Sequence, residues 1–527
     1  MSTPDVQGAA TAVDVAHDVV SGAARLLASH GSIDDHQVLA YDLAHAAAGV
    51  ELARSILDYG AQGEVEGRIA CAFVADTVHD LMTRVLGREN EWGVKPDAFE
   101  PVMPFLETYR EAAFLAALAG EEGPRHLDAD FELVRETFRR FAEDKVRPVA
   151  EHVHRTNADI PEDVISGLAE MGGFGLSVPE EYGGFASGGE SDYLGMVVAT
   201  EELSRGSLGV GGSLITRPEI LTRALVKGGT EEQKREWLPK IASAETMVAV
   251  AVTEPDFGSD VAGIKVTATP APSSSGAGWV VNGVKTWCTF AARADVLMLL
   301  ARTDPDRSKT HRGLSLFIVP KPRAEGHGFA FTQETGGKLE GRAIDTIGYR
   351  GMHSYEVAFE NWFVAASNQL GGEEGLGKGF YLQMEGFENG RLQTAARAVG
   401  VMQAAYEAAR DYANERVVFG HPIGDYQLTQ VKLARMAVLI QASRQFMYKV
   451  ARLMAAGQGA LEASMVKAYV CRAAEWVTRE ALQIHGGMGY AEEFPVSRYF
   501  VDARVLSIFE GADETLALKV IARRLTA

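Results

Sequence analysis

Apolar residues recur at helical spacing near both ends of the chain and at strand spacing only in its middle. Residues 38–43 and 431–440 place apolar side chains three and four positions apart, as in an amphipathic helix. Residues 247–252 and 314–319 are short apolar runs, and turn-rich stretches such as 271–276 lie between such runs, which is typical of strands. The pattern predicts a mainly α-helical protein that contains one small β domain.

Changes in this pattern divide the chain into four segments. We expect a helical extension over residues 1–125, an N-terminal helical domain over 126–245, a middle β domain over 246–370 and a C-terminal helical bundle over 371–527. The Gly-Pro pair at 123–124 is typical of a linker between the first two segments.

The extension also suggests an internal repeat. Residues 35–60 can be laid on residues 425–450 without gaps. The identical pairs join Asp35, Gln37, Leu43, Ala44, Ala47 and Arg54 to Asp425, Gln427, Leu433, Ala434, Ala437 and Arg444. Two unrelated Ala- and Leu-rich helices would give nearly as many matches, so both readings stay open. If the repeat is real, the extension is a partial copy of the C-terminal bundle. It carries Gly87 near the place of Gln483, and would have kept the packing without the cofactor chemistry.

The composition excludes several kinds of protein. The 527 residues are 46% hydrophobic, but no apolar run approaches the roughly 20 residues that cross a bilayer. The N-terminus is polar and acidic, so we expect no signal peptide. Cys71, Cys288 and Cys471 are too far apart for a metal site or a disulfide framework, which favours a cytoplasmic location. The net charge of -20 argues against a nucleic-acid partner.

A glutamate near the C-terminus is the strongest candidate for chemistry. Glu510 lies in residues 507–511, 27 positions after Gln483, on what we expect to be a short apolar strand-to-loop segment. The apolar flank should exclude water and raise the pKa of this carboxylate, as a general base requires. Alone, a Glu-Gly pair is more often an ordinary turn.

Two motifs in the β domain suit a flat, phosphate-bearing cofactor. The turn at residues 253–260 offers hydroxyls and backbone amides, although an ordinary Pro/Gly turn would look the same. Trp287 and Thr289 lie two positions apart on a predicted strand, so both should face the same side. There the ring would stack on the cofactor while the hydroxyl bonds its polar edge. The alternative is a core Trp beside a surface Thr.

Two arginines in the helical C-terminal part suit anionic groups. Arg416 lies between two predicted helices, with Gln427 eleven residues later, and its planar fork of donors matches a pyrophosphate. A helix end with a salt bridge is the alternative. Arg391 follows the glycine-bearing turn at 377–379 on a predicted helix, where it would hold a nucleotide or pantetheine group or else be a solvated charge.

In this order and spacing, the motifs resemble the acyl-CoA dehydrogenase family over roughly residues 126–527. The resemblance implies a helical domain, a middle β-barrel-like domain and a C-terminal four-helix bundle. It implies FAD as the cofactor, an acyl-CoA as the substrate and an electron-transferring flavoprotein as the electron acceptor. It implies no metal.

The resemblance also assigns residues. Glu510 is implied as the catalytic base, and Gly390, at the place where some members carry the base instead, is unable to act as one. The residues implied to contact FAD are Thr253, Gly258, Ser259, Trp287, Thr289, Arg416, Phe419, Gln427, Gln483, Gly486, Gly487 and Glu514. Of these, Arg416, Phe419 and Gln427 would reach the cofactor across a dimer interface. Ser259, Phe387 and Arg391 are implied at the acyl-CoA. Ala512 and Glu514 depart from the Thr and Gln that are common there, which puts one contact to the AMP half in doubt.

Residues 211–218 bear on which acyl chain the enzyme accepts. The position where glutaryl-CoA dehydrogenases carry a carboxylate-binding Arg is Gly211 here, which argues against a glutaryl site. Pro218 is expected to bend or end a helix and to turn Arg217 toward the acyl pocket, where it would suit a short dicarboxylic chain. The alternative is that Arg217 faces solvent.

The extension, with residues 287–289 and 348–353, resembles members that oxidise a short branched dicarboxylic acyl-CoA. This implies oxidation of (2S)-methylsuccinyl-CoA to mesaconyl-CoA in the ethylmalonyl-CoA pathway. We also expect the extension to replace the second dimer of the usual tetramer and to leave a homodimer.

Three other functions compete with this one. A dehydrogenase or oxidase of another short or branched acyl-CoA is the nearest. A flavin-bearing homologue associated with nucleic acid would need a basic face, and a purely structural helical protein would leave the linked motifs unexplained.

Overall fold

The computed structural model describes residues 3–271 and 277–527. All but the first residue of the predicted turn cluster at 271–276 therefore lies outside the described residues. The chain divides into two compact units. The helical unit comprises Met1–Leu133 and Thr394–Ala527, and the mixed unit comprises Val134–Gln393.

Helices dominate the described residues. In chain order they are α1 (Val6–Ser29), α2 (Gln37–Gly60), α3 (Glu64–Val85), α4 (Glu89–Trp92), α5 (Met103–Tyr109), α6 (Ala112–Ala117), α7 (Ala129–Phe141), α8 (Arg147–Thr156), α9 (Glu162–Glu170), α10 (Ser191–Gly206), α11 (Thr216–Gly228), α12 (Glu231–Ala242), α13 (Gly372–Gly375), α14 (Gly379–Glu415), α15 (Gln427–Ala455), α16 (Ala460–His485), α17 (Pro495–Leu506), α18 (Asp513–Thr515) and α19 (Ala522–Leu525). Residues 38–43 lie in α2 and residues 431–440 lie in α15, so both predicted helices are confirmed.

The strands are concentrated in the mixed unit. They are β1 (Val248–Ala251), β2 (Thr267–Pro270), β3 (Gly278–Thr289), β4 (Val296–Arg302), β5 (Leu314–Pro320), β6 (Gly328–Thr332), β7 (Lys338–Ile344) and β8 (Ser354–Ala365), with β9 (Val417–Val418) and β10 (His421–Pro422) in the helical unit. The prediction of a mainly α-helical chain with one small β domain is confirmed.

One sheet organises the mixed unit. Its order is β1-β4-β2-β3-β8-β7-β6, and β5 pairs with β4. β1 runs parallel to β4, whereas β3 and β8 form a long antiparallel pair. Every residue of β4 is buried, and alternate side chains such as Val296 and Leu300 belong to a core with Leu225 of α11 and Leu238 of α12. Burying such apolar side chains is the main source of stability in this unit.

Local sequence signals explain where several helices begin. At the start of α12, the Thr230 hydroxyl accepts a hydrogen bond from the backbone N–H of Gln233. The Gln233 side chain accepts one from the backbone N–H of Thr230, and the two bonds form a capping box. Asp5 accepts a hydrogen bond from the backbone of Gly8 at the start of α1. Such caps satisfy amides that have no partner within the helix.

The two segments of the suggested repeat begin in the same way. A 3-10 turn over Ile33–Asp35 precedes α2 by one residue, and a 3-10 turn over Ile423–Asp425 precedes α15 by one residue. The next helices, α3 and α16, both follow a glycine, Gly63 and Gly459. The repeat remains a prediction, and this shared geometry supports it.

The extension packs against the C-terminal helices inside the helical unit. The rings of Phe73 on α3 and Tyr469 on α16 lie 6.0 Å apart in an edge-to-face arrangement. Arg435 on α15 donates to both oxygens of Asp76 on α3, at 3.0 and 3.3 Å. The N-terminal helices and the C-terminal bundle therefore share one folded unit.

Candidate active site

The turn after β1 is fixed by a buried ion pair. Lys285 on β3 donates to Glu254 at 2.8 Å and to the carbonyl of Val252 at 2.8 Å, and its side chain is fully buried. Burial lowers the pKa of Lys285 to about 8, against the opposing effect of Glu254. The backbone N–H of Thr286 donates to the carbonyl of Thr253 at 2.8 Å. The structure thus brings Thr253 next to the strand that carries Trp287. Sequence reasoning missed the ion pair of Lys285 with Glu254, although Glu254 lies in the turn at 253–260 and Lys285 precedes Trp287 by two positions.

The two residues predicted to meet the flavin ring do not follow a regular strand alternation. The pairing of β3 with β8 shifts between Lys285 and Cys288, and Trp287 has a φ of +57°. Trp287 is 54% exposed, whereas Thr289 is buried with its hydroxyl 2.9 Å from that of Ser354. The expectation of one shared face, based on alternation, is therefore wrong, because an extra residue at this β-bulge resets the strand.

The second half of the turn at residues 253–260 is accessible to a ligand. Gly258 and Ser259 are exposed on the turn that follows Thr253. In the described part of the chain, no atom lies within 4 Å of where a Cβ on Gly258 would stand. A ligand backbone or phosphate has room to approach the peptide there.

A tight hairpin displays an aromatic ring in the helical unit. β9 and β10 pair antiparallel, and the two residues between them, Phe419 and Gly420, have φ values of +54° and +92°. Positive φ at both central residues is the geometry of the two-residue hairpin turn that matches strand twist. Phe419 is 93% exposed at the tip, and Arg416 and Gln427 are also exposed. Their exposure fits the expected reach toward another subunit, which remains a prediction.

The C-terminal end of α16 forms a second open backbone site. Gly486 has a φ of +58°, which favours glycine, and Gln483 and Gly487 are exposed beside it. Among the described residues, no atom lies within 4 Å of a Cβ built on either glycine. The adjacent His485 is buried and stacks on Tyr412 at a centroid distance of 4.3 Å, which fixes this helix end.

Glu510 lies on a loop between two helices. The segment joins the end of α17 to the start of α18 and contains no strand, so the expected strand-to-loop setting is wrong. We call residues 507–513 the base loop. Glu510 is half-buried with a φ of +54°, a conformation that a non-glycine residue adopts only when its surroundings hold it there. Glu514, in the short helix that follows, is exposed.

The flanks of Glu510 are held by buried and half-buried groups that sequence reasoning missed. The fully buried Lys467 on α16 donates to the carbonyl of Gly511 at 2.6 Å. The guanidinium of Arg397 lies 4.7 Å from the ring centre of Phe509. Ser507 donates to Glu475 at 2.5 Å. Lys467 stands among apolar residues of α16, and this is a sequence signal that could have indicated such a contact.

The start of α11 differs from the expectation for Pro218. The helix α10 ends at Gly206, turns follow, and α11 begins at Thr216, so Pro218 stands in the first turn and does not end a helix. Proline is tolerated there because the first amides of a helix have no partner within it. Arg217 is only 6% exposed, so the solvent-facing alternative is wrong.

Buried polar groups surround this helix start inside the mixed unit. Thr216 donates to Gln393 at 2.8 Å, and the amide of Asn389 donates to the buried Glu219. Gly211 leaves no room for a side chain, because an added Cβ would lie 2.9 Å from the carbonyl oxygen of Leu203. The segment therefore buries several polar side chains and not only apolar ones.

The candidate acyl-CoA residues of α14 share one helical face. Phe387 and Arg391 are half-buried and four residues apart, and Gln383 precedes Phe387 by four residues. Gln383 is fully buried, and its amide has no hydrogen-bond partner among the described residues. Sequence reasoning missed Gln383, although the spacing of four places it with the other two.

Each unit by itself offers groups that suit a part of FAD. In the mixed unit, the exposed ring of Trp287 suits a flat ring system and the open backbone at Gly258 suits a phosphate. In the helical unit, the open backbone at Gly486 and Gly487 suits phosphate and adenosine groups. Residues 3–271 and 277–527 contain no group of three or more His, Cys, Asp or Glu side chains placed to hold a metal ion. Across the same residues, no helix combines the length and apolarity needed to span a membrane.

Comparisons with known proteins give one answer. The models of the acyl-CoA dehydrogenase N-terminal, middle and C-terminal domains match residues 128–245, 249–362 and 377–526. The (2S)-methylsuccinyl-CoA dehydrogenase of Cereibacter sphaeroides is 42% identical over 404 residues, which cover 76% of this chain and 71% of that one.

Solved structures agree with this result. A glutaryl-coenzyme A dehydrogenase in complex with glutaryl-CoA is 32% identical, with a TM-score of 0.68, over 75% of this chain and 95% of that one. A chain from the structure described as the electron transferring flavoprotein of Acidaminococcus fermentans is 31% identical, with a TM-score of 0.68, over 76% of this chain and 98% of that one. The chain therefore belongs to the acyl-CoA dehydrogenase family, whose enzymes are FAD-dependent oxidoreductases that act on acyl-CoA thioesters.

Proposed function

We propose that this enzyme oxidises (2S)-methylsuccinyl-CoA to mesaconyl-CoA, the step that belongs to the ethylmalonyl-CoA pathway. The observation that carries the proposal is the 42% identity to (2S)-methylsuccinyl-CoA dehydrogenase over 404 residues. The reaction removes one hydrogen from the α-carbon and one from the β-carbon of the thioester and leaves a double bond between them.

Glu510 is the proposed base for the α-proton. Its half-buried carboxylate lies on a loop whose neighbours Phe509 and Gly511 are both held by other side chains, so its position is defined before substrate binds. The backbone N–H of Glu510 is the proposed donor to the thioester oxygen, where negative charge develops as the proton leaves. When bound, FAD accepts the hydride from the β-carbon.

Arg217 is the proposed partner of the distal carboxylate. A guanidinium matches a carboxylate through two parallel hydrogen bonds, and burial strengthens such a contact. Arg217 is buried in the first turn of α11, where Thr216 and Glu219 are buried too. The fully buried amide of Gln383 offers a further donor in the same unit. A monocarboxylic acyl chain has no second carboxylate to accept a hydrogen bond from Arg217 and would lose this charge-assisted contact.

The other site residues take the roles that the family resemblance gives them. We propose that Thr253, Gly258, Ser259, Trp287 and Thr289 bind the flavin side of FAD and that Gln483, Gly486, Gly487 and Glu514 bind its ADP half. Phe387 and Arg391 are assigned to the CoA moiety, which Ser259 also contacts. Electrons leave to an electron-transferring flavoprotein, and likeness to the Acidaminococcus fermentans chain supports that partner.

We propose a homodimer in which the exposed Arg416, Phe419 and Gln427 of each subunit reach the cofactor of the other. The extension then covers the bundle surface that would otherwise receive a second dimer. Light scattering should give the mass of two chains of 56.8 kDa, and a tetramer would contradict this assembly. Deletion of residues 1–125 should expose apolar surface and cause aggregation.

Flavin bleaching without oxygen tests the reaction. The FAD-loaded protein is mixed with (2S)-methylsuccinyl-CoA, and separately with butyryl-, glutaryl- and isovaleryl-CoA. Fast bleaching by methylsuccinyl-CoA alone is expected, with a loss of at least about 10³-fold in Glu510→Gln, because the proton then has no acceptor. Bleaching by a monocarboxylic thioester would keep the family chemistry but reject the diacid.

Arg217→Met separates substrate choice from chemistry. It should raise the half-saturating concentration of methylsuccinyl-CoA by about 10–100-fold, because a charge-assisted contact of about 1.5–3 kcal/mol is lost. If the variant binds methylsuccinyl-CoA as tightly as the wild type does, Arg217 is not the carboxylate partner. Steady peroxide production without an acceptor would indicate an oxidase.

A further inference from the structure

The base loop contacts the N-terminal extension through one carboxylate. Tyr41 on α2 donates to Oδ2 of Asp513 at 2.5 Å, and Nε2 of His45, one helical turn later, lies 3.2 Å from the same oxygen. The side chains of His45 and Asp513 are 4% and 13% exposed. Two residues of the extension therefore contact a residue three positions after Glu510, from a helix that lies far from it in sequence.

Asp513 also closes the base loop. Its backbone N–H donates to the carbonyl of Ser507 at 3.1 Å, so the two ends of the loop are joined. Between these ends, Lys467 holds the carbonyl of Gly511 at 2.6 Å. A displacement of Asp513 is transmitted through only two residues to the peptide of Glu510, whose positive φ depends on its surroundings.

The protonation states favour a permanent contact at neutral pH. Burial and the bond to Asp513 raise the pKa of Tyr41 to about 12, so its hydroxyl keeps its proton. Burial alone would raise the pKa of Asp513, but the contacts from His45 and Tyr41 with the nearby Arg472 lower it overall. Burial lowers the pKa of His45, and the positive charges of Arg472 and Arg84 act in the same direction. A neutral phenol thus donates to a carboxylate.

We propose that Tyr41 and His45 of the extension are positioning residues for catalysis, which hold the base loop so that Glu510 meets the α-proton. The inference rests on the proposed function, because it takes Glu510 as the base. It gives the extension a role in the reaction beyond covering a surface. A hydrogen bond from a phenol to a largely buried carboxylate is charge-assisted, and such bonds are stronger than neutral ones, which suits it to fix a loop.

A purely structural role predicts something different. If the contact only stabilised the fold, its loss would lower the melting temperature and leave the rate of the folded enzyme unchanged. If it positions Glu510, its loss lowers the limiting rate and leaves acyl-CoA binding unchanged, because Tyr41 touches neither substrate nor cofactor in this role. A displacement of about 1 Å is enough to cost a large factor in rate.

The test uses the FAD-loaded full-length protein and the variant Tyr41→Phe, which removes only the hydroxyl. Hydrogen–deuterium exchange over residues 505–516 should become faster than in the wild type. The limiting rate of anaerobic bleaching by (2S)-methylsuccinyl-CoA should fall about tenfold, which equals about 1.4 kcal/mol, at an unchanged half-saturating concentration.

Asp34→Asn is the matched control. Asp34 also belongs to the extension and pairs with Lys519 of the C-terminal segment at 2.6 Å, but the contact is exposed and lies beyond the base loop. This variant should leave both exchange in residues 505–516 and the limiting rate unchanged. A double-mutant cycle of Tyr41→Phe with Asp513→Asn should show that the double variant is no slower than the slower single variant.

The outcomes separate the two claims. Exchange that stays at the wild-type level in Tyr41→Phe overturns the proposal, and so does faster exchange with an unchanged limiting rate. A wild-type enzyme that no acyl-CoA bleaches overturns the proposed function instead. The exchange measurement then still decides whether Tyr41 holds the loop.

Discussion

Helices α2 and α15 begin alike but use one corresponding position differently. When residues 35–60 are laid on residues 425–450, His45 falls on Arg435. Arg435 makes a two-pronged ion pair with Asp76 of the extension, which Arg110 joins at 2.9 Å. His45 instead meets Asp513 of the base loop, with a pKa that burial lowers.

The difference separates a contact that joins helices from a contact that reaches the site. The side chains of the Arg435–Asp76 ion pair are about one-third exposed and join α15 to α3. This ion pair therefore contributes to the packing of the extension on the bundle. The His45 contact is nearly buried and ends three residues from the proposed base. If the repeat is real, one copy kept a permanent charge for packing, and the other acquired groups that serve a loop.

A second pair of positions shows the same division. When Gly63 is laid on Gly459, Cys71 of α3 falls on Lys467 of α16, and both side chains are buried. Burial raises the pKa of the Cys71 thiol to about 12, so it is an inert apolar group. Lys467 holds the carbonyl of Gly511. Here the residue that reaches the base loop lies in the C-terminal bundle, whereas in the first pair it lies in the extension.

Among the variants that test this contrast, Lys467→Met should have the largest effect. The change leaves the Gly511 carbonyl without its donor and should cost about 1–3 kcal/mol of unfolding free energy. It should also lower the limiting bleaching rate by about 10–100-fold, because the peptide next to Glu510 is released. Cys71→Ala, at the corresponding place, should lower stability without changing the rate. An unchanged rate in a folded Lys467→Met variant would contradict this view of the base loop.

Arg435→Gln should have a smaller effect, and on stability alone. The variant loses a partly exposed ion pair, which is worth at most about 1 kcal/mol, while Arg110 still neutralises Asp76. Urea unfolding should record that loss, and stopped-flow bleaching should give the wild-type rate. A slower rate would show that the packing side also controls the site and would remove the contrast between the two helices.

The smallest effect concerns pH. The pKa of folded His45 lies below its ordinary value of 6.5, so below pH 6.5 the unfolded chain binds a proton that the folded chain does not. Stability is therefore lost as pH falls from about 6.5 toward the folded pKa, by up to about 1 kcal/mol for one pH unit. His45→Gln should lose less between pH 6.5 and 5.5, as urea midpoints would record. An identical loss would mean that His45 is not shielded from protons by burial.

Much of the fold could be read from local patterns. Helical spacing placed α2 and α15, and short apolar runs placed β1 and β5, because burial of one face imposes its period on the sequence. The motifs at Trp287, Phe419 and Gly486 marked segments that the structure exposes and opens. Their contacts with FAD remain predictions.

Three expectations failed for a shared reason. Trp287 and Thr289 differ in exposure because a bulge interrupts the strand, Glu510 follows a helix and not a strand, and Pro218 stands in the first turn of its helix. Each of these three local geometries depends on the backbone conformation or strand pairing at a single residue. A prediction from hydrophobic periodicity assumes regular helices and strands and does not include such irregularities.

The sequence by itself determined the helical and strand segments, the family and the candidate base, because these follow from local periodicity and from residues at fixed spacing. The tertiary structure alone decided what surrounds the base. Tyr41, His45 and Lys467 are unremarkable in their own helices. Tyr41 and His45 meet Asp513 only when the two chain ends fold together, and Lys467 meets Gly511 across 44 positions. Contacts between residues so far apart leave no local pattern, because each side chain meets a partner that the neighbouring sequence does not contain.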